Sequence, residues 1–237
     1  MIVRDKKRFW MGMIGLITFF IILSFWSFSV IGHKTGLEWA DDLFNQLSKN
    51  SAYKIPIAVN KAKEFKGIIV DLSVNPKRSG ADEKVTKIMT VNGLAAHVIG
   101  DGRVRIRGDL GLMSKAAAMD ADLLFENRDR ELQGKYGMSG REVIYYWWTA
   151  YDDLVRRYIQ LNRPSEADFA KFIMTGVLEP SYNFAGIKRG NISQNISTVV
   201  LLLAFYIFYT VLYGFAIMYL FEGIGITATK ASRKEET

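Results

Sequence analysis

Two apolar runs bracket a polar middle. Phe9–Gly32 (FWMGMIGLITFFIILSFWSFSVIG) and Ile196–Phe221 (ISTVVLLLAFYIFYTVLYGFAIMYLF) contain no charged residue. Each is long enough to cross a hydrocarbon core of roughly 30 Å as a helix, which takes about 20 apolar residues. The pattern predicts a tail at 1–8, a membrane helix at 9–32, an α+β domain over 33–195, a second membrane helix at 196–221 and a tail at 222–237. A cleaved signal has an apolar centre of roughly 7–15 residues. The first run exceeds that and is expected to stay as an anchor.

Within the domain the period of the pattern changes. Leu37, Ala40, Phe44 and Leu47 have helical spacing, so the first membrane helix is expected to continue outward until the region ends at Pro56. Ile68, Val70, Leu72 and Val74 alternate as a strand does, and Lys84–Val91 reads as a second strand. Ala95–Ile99 and Arg103–Arg107 flank Gly100-Asp101-Gly102, a turn able to supply the positive dihedrals of a tight hairpin. The second half turns helical. Leu112–Asn127 is rich in alanine and leucine. Ser139-Gly-Arg-Glu142 forms a capping box ahead of a helix whose inner face carries Val143, Trp147, Ala150, Leu154, Tyr158 and Leu161. A further helix is expected at Ser165–Leu178, stopped by Glu179-Pro180. The expected domain is therefore strand-rich first and helical second.

Composition narrows the chemistry. Cysteine is absent, which removes disulfides, Cys-ligated zinc, iron–sulfur clusters and attached c-type haem. The net charge is +7, from 31 basic and 24 acidic side chains. The N-tail holds Arg4, Lys6, Lys7 and Arg8 and the C-tail Lys230, Arg233 and Lys234. On the domain side of the membrane stand Lys34, Lys188 and Arg189. Basic residues collect on the cytoplasmic side, so both termini are expected in the cytoplasm and the domain outside, in the periplasm if the membrane is a bacterial inner membrane. The domain itself is nearly balanced in charge, so nucleic acid is not an expected partner.

Candidate chemistry is sparse. His33 and His97 are the two histidines and stand apart, so neither a metal site nor a histidine-based catalytic set is expected. Asp120-x-Asp122 with Glu126 lacks the remaining ligands and the glycine of a calcium loop and is expected to be exposed helix charge. Arg103, Arg105 and Arg107 share one strand face about 7 Å apart. They could bind an anion or a lipid headgroup, or serve only to blunt an edge strand. The run Tyr145-Tyr-Trp-Trp148 with Tyr151 is wider than one helix face, so some of Tyr145, Trp148 and Tyr151 is expected either to meet a partner or to be core. In the second membrane helix Tyr206, Tyr209 and Tyr213 share a stripe, and a hydroxyl in hydrocarbon wants a partner. Gly12, Gly15, Ser24 and Ser27 offer places for close helix approach.

The resulting expectation is a non-catalytic, cofactor-free accessory subunit that docks on other integral membrane proteins and touches membrane lipid. An extracytoplasmic sensor or ligand-binding module acting through a separate chain is the alternative, and an envelope- or lipid-modifying enzyme the third.

Overall fold

A computed structural model describes residues 3–31, 33–76, 80–100, 102–190 and 192–226. The turn residue Asp101 and the basic C-tail residues Lys230, Arg233 and Lys234 lie outside them. The chain forms two compact units, residues 1–44 with 191–237, and residues 45–190.

The first unit is built on helices α1 (Lys6–Ser27) and α10 (Ile192–Ile224). Both are long and apolar enough to cross a membrane, and only 6% of either apolar window is buried. Core helices of a water-soluble fold would be covered, so these surfaces call for an apolar solvent. The two helices run antiparallel. Phe9 lies against Gly223, Gly12 against Leu220 and Ala216, Phe19 against Tyr213 and Tyr209, and Trp26 against Phe205. Small residues let the backbones approach, as in membrane helix pairs generally. At the open end the Arg4 and Asp5 amides both donate to the Gly223 carbonyl, at 2.8 and 3.0 Å, and Arg8 pairs with Glu222 at 3.0 Å. The two helix ends that lead to the tails are thus tied together.

The first membrane helix does not continue outward as its pattern suggested. It stops at Ser27, Phe28 is extended, and a short antiparallel pair, β1 (Ser29–Ile31) and β2 (Lys34–Thr35), turns at His33 with φ 68°. A separate helix, α2 (Gly36–Ser51), then starts. Its start signal is a second capping box, Thr35-Gly-Leu-Glu38. The Glu38 amide donates to Thr35 Oγ1 at 3.1 Å, and the Thr35 amide donates to the Glu38 carboxylate at 2.8 Å. Reciprocal satisfaction of two end amides is what a helix start needs. Pro56 opens a helix here, occupying the first turn of α3 (Ile55–Ala62), where its missing N–H costs nothing.

The second unit is mixed α+β. One small antiparallel sheet has the order β3 (Ile69–Val74), β5 (Arg103–Asp109), β4 (Ala95–Ile99). Val70, Leu72 and Val74 from β3 and Val104 and Ile106 from β5 turn inward and are buried. Over them lie α4 (Ala81–Val91), α5 (Leu110–Phe125), α6 (Asp129–Tyr136), α7 (Gly140–Gln160) and α8 (Pro164–Ile173). The hairpin β4–β5 has the expected pairing, with His97 opposite Arg105.

Two expectations fail here. Residues 84–91 are helical, so the first half is not strand-rich. Ala81, Val85, Ile88 and Met89 repeat at i, i+4, i+7 and i+8 and are fully buried, which is a helix face. The β-branched threonines of this stretch, a residue type that favours strands, are accommodated in the helix: Thr86 and Thr90 turn their hydroxyls back to the carbonyls of Asp82 and Thr86. Nor does Glu179-Pro180 stop the helical path. A π-helical turn at Met174–Leu178 follows α8 and runs into α9 (Glu179–Asn183). The Glu179 amide donates five residues back, to the Met174 carbonyl. This wider turn makes room for a proline that has no N–H and would crowd an α-helical carbonyl.

Helix α7 is the centre of the unit. Ser139 caps it, accepting from the Glu142 amide, and Val143, Trp147, Ala150, Leu154 and Tyr158 are buried as their spacing requires. Leu161 lies past its end and is exposed.

Three buried tyrosines make stability alkali-sensitive. Burial pushes the phenols of Tyr136, Tyr151 and Tyr158 above their ordinary value, that of Tyr158 to about 12. In the unfolded chain they ionise near pH 10. Between pH 10 and 12 the folded state therefore keeps protons that the unfolded state releases. Stability should hold below pH 10 and fall above it, by about 1.4 kcal/mol per pH unit for each tyrosine. Lys49, held down first by burial from its ordinary 10.5, acts in the opposite sense, but its window closes where the tyrosine window opens. The Tyr158 hydroxyl is buried without a hydrogen-bond partner among the described residues. Tyr158→Phe should thus leave stability at pH 7 unchanged or raised, and should remove one tyrosine's share of the alkaline slope. Denaturant midpoints at pH 7, 10 and 11 check both.

Candidate functional site

The aromatic run on α7 divides between core and surface. Tyr146, Trp147 and Tyr151 are buried, while Tyr145 and Trp148 are half-exposed. Tyr151 is fully buried and donates to Ser114 Oγ at 2.7 Å. It belongs to the core and leaves the partner-facing set, because α7 is covered on most of its circumference and residue 151 follows Trp147 round the inner face. Tyr145 and Trp148, three apart, share the remaining stripe. They line a slot of about 410 Å³ with Ile144, Leu178, Glu179 and Tyr182. The Trp148 indole donates to the Glu179 carboxylate at 2.9 Å. Tyr145 meets Tyr146 edge to face at 5.4 Å. At the rim the Arg141 guanidinium lies 5.4 Å from the Tyr182 ring centroid and donates to the Ala185 carbonyl at 3.1 Å.

The arginine row sits on the outward face of β5, with Val104 and Ile106 turned inward, as alternation requires. The strand is the central one and not an edge, so protection of an edge cannot be the purpose of these charges. Arg105 forms a bidentate pair with Asp71 at 2.9 and 3.1 Å, and the Asp71 carboxyl is held below the usual range first by that hydrogen bond. Beside it is a polar groove of about 620 Å³ lined by Asp71, Ser73, Arg105, Asp153, Arg156 and Arg157. Arg156 pairs with Asp152 at 2.5 Å. Carboxylates thus answer much of the positive charge, and an anion entering the groove would meet a balanced surface. Arg103 and Arg107 flank Arg105 on the same face.

In the membrane unit the tyrosine stripe turns partly onto its own chain. The Tyr209 ring stacks on Phe19 at 4.2 Å, and Tyr213 tilts against the same ring at 4.8 Å. Tyr206 is 64% exposed. Tyr206 and Tyr209 line an apolar groove of about 390 Å³ that also includes Trp26, Leu37, Phe44 and Phe205. The Tyr209 hydroxyl is buried and has no hydrogen-bond partner among the described residues.

Sequence reasoning missed two buried polar centres. Asp120 is 1% exposed, not the exposed charge its neighbours Asp122 and Glu126 suggested. Its carboxylate accepts from Trp147 Nε1 at 2.8 Å, Lys135 Nζ at 2.9 Å and the Tyr136 hydroxyl. Asn92 closes the ring, donating to Tyr136 at 2.7 Å and accepting from Lys135 at 2.9 Å. Lys49 is also 1% exposed. Its ammonium donates to the carbonyls of Phe184 and Ile187, at 3.1 and 2.5 Å, and lies 4.9 Å from the Phe125 ring centroid. For Asp120 a signal existed: it falls on the alanine-rich face of α5 beside Ala117 and Ala121, and a carboxylate among alanines needs partners. Lys49 gave none. His97 is exposed on β4, and among the described residues no group of three or more histidines and carboxylates is placed to hold a metal.

Compared with known protein families, curated proteins and solved structures, the chain matches none.

Proposed function

We propose that this protein is a non-catalytic, membrane-anchored subunit of a larger bacterial inner-membrane complex, docking on partner helices through the α1–α10 hairpin. The observation that supports this most is the Tyr209 hydroxyl. It is buried without a partner beside an apolar groove in which Tyr206 stands exposed. In hydrocarbon no water relieves such a group, and a polar group on an adjoining helix is the natural relief. Both tails lie in the cytoplasm on this reading, which rests on the basic N-tail and on the ties between Arg8 and Glu222 and around Gly223. The domain is then periplasmic, and Tyr145 and Trp148 are available to a partner there. The slot beside them favours the second reading, a ligand-binding module that acts through a separate chain.

Changing Tyr206, Tyr209 and Tyr213 together to phenylalanine keeps the rings stacked on Phe19 and removes three hydroxyls. Each interhelical hydrogen bond is worth about 0.6 kcal/mol and at most about 2, so three could weaken association more than tenfold. The expected result is normal insertion with loss of the membrane partner that the unaltered chain retains through mild solubilisation. Equal retention by both forms would overturn the docking face. A reporter active only in the periplasm, fused after residue 237, should stay silent, and its activity would reverse the topology.

A further inference from the structure

We propose that the slot between α7 and α9 binds a small organic cation with a methylated ammonium head. The slot is lined by Ile144 and Leu178, both essentially fully buried, by the rings of Tyr145, Trp148 and Tyr182, and by Glu179 and Asn183. Among the described residues Glu179 is the one charged residue in its lining, beside the amide of Asn183, so it is an aromatic-lined, partly open slot whose lining carries one negative charge, with the Arg141 guanidinium against the Tyr182 ring. Ring faces are the negative part of an aromatic quadrupole. An anion would meet both the faces and the carboxylate unfavourably, and a neutral apolar ligand would strip water from Glu179 without replacing it. A diffuse cation with methyl groups satisfies both, the faces through cation–π attraction and the carboxylate through charge. The volume of about 410 Å³ falls in the range usual for small-ligand sites.

Two features of the fold point the same way. The Tyr182 ring already meets a cation, the Arg141 guanidinium 5.4 Å from its centroid, so a ligand's ammonium would rest on the side of the slot formed by Tyr145, Trp148 and Glu179, away from that charge. The π-helical turn sets the site. One residue fewer per turn would rotate everything beyond it by about 100°, and Glu179 and Tyr182 would no longer face Tyr145 and Trp148 together. Such turns recur at functional sites. Trp148 is oriented by its hydrogen bond to Glu179 at 2.9 Å, so the carboxylate both supplies the charge and fixes one wall. The inference rests on the fold of residues 45–190 and is independent of the proposed docking through the membrane helices.

The test uses the full chain in an uncharged maltoside detergent, titrated by calorimetry with choline and, separately, with 3,3-dimethylbutan-1-ol, its neutral carbon isostere. Choline should bind saturably, and the isostere about tenfold or more weakly, as a desolvated cation–π site requires. Glu179→Gln keeps an acceptor for the Trp148 indole and removes the charge, and it should weaken choline at least fivefold with an unchanged melting temperature. Should that variant fail to fold, the comparison of choline with its isostere on the unaltered chain still decides. Equal binding of the two ligands, or no saturable choline binding up to tens of millimolar, overturns the proposal.

Discussion

Replacing Asp120 by alanine is expected to cost about 3–5 kcal/mol of unfolding free energy, the usual penalty for removing one side of a buried charge pair. The loss has two parts. Lys135 keeps 35% side-chain exposure and can turn to water, so its share is modest. Trp147 and Tyr136 cannot, being 0% and 1% exposed. Their indole N–H and hydroxyl would be left in the core, at about 1–3 kcal/mol each, although Tyr136 retains the hydrogen bond from Asn92. Against a typical total of about 5–15 kcal/mol, the variant would be near the limit of folding. Asp120→Asn keeps an oxygen for the two buried donors and should lose clearly less. Denaturant unfolding of the full chain in detergent, followed by tryptophan fluorescence, measures both. A cost below about 1 kcal/mol for the alanine variant would show that Asp120 is not the anchor of this network.

The second large effect lies in the membrane hairpin. A Cβ on Gly12 would stand 2.6 Å from the Leu220 amide nitrogen and 2.7 Å from the Ala216 carbonyl oxygen. Both are backbone atoms and cannot swing aside. Gly12→Leu should therefore push the helices apart at a cost of about 1–3 kcal/mol, the range for overpacking, and loosen the tie between Arg8 and Glu222. Because the chain has no cysteine, the separation can be read directly. A Cβ at Gly15 would lie 3.0 Å from the Ala216 Cβ. That is just under the roughly 3.5–4.5 Å of a disulfide, so Gly15→Cys with Ala216→Cys should cross-link within one chain under mild oxidation. Adding Gly12→Leu should suppress the cross-link severalfold. An unchanged yield would refute the close approach at Gly12.

How much of this was legible beforehand depended on the range of the interaction. Features set by residues a few positions apart were readable. The two apolar helices needed only composition and length. The β4–β5 hairpin followed from its glycines and alternation, and α7 from the Ser139 cap and the spacing of Val143, Trp147 and Leu154. The start of α2 was also local, written in Thr35-Gly-Leu-Glu38, but the apolar spacing of Leu37, Ala40 and Phe44 suggested one continuous helix and masked it. Residues 84–91 read as a strand, and burial of Ala81, Val85, Ile88 and Met89 against the sheet overrode the strand preference of their valines, isoleucine and threonines. Intrinsic strand preferences are weak compared with packing.

The candidate sites were less legible, because they join residues far apart in the chain. The sequence by itself determined the two apolar spans, the absence of cysteine chemistry, the alternation that turns Arg103, Arg105 and Arg107 outward, and the presence of more aromatic rings on α7 than one buried face can hold. Only the tertiary structure decided which rings are core and which are surface. It buried Tyr151 on Ser114, left Trp148 to bond Glu179 thirty-one positions away, and laid Tyr209 on Phe19 while leaving its hydroxyl unsatisfied. It also placed Asp71 against Arg105, so that the middle arginine of the row is ion-paired. The physical reason is the same in each case. Periodicity states which side of an element a residue takes, but burial, charge balance and hydrogen-bond satisfaction depend on what the chain brings to that side from elsewhere.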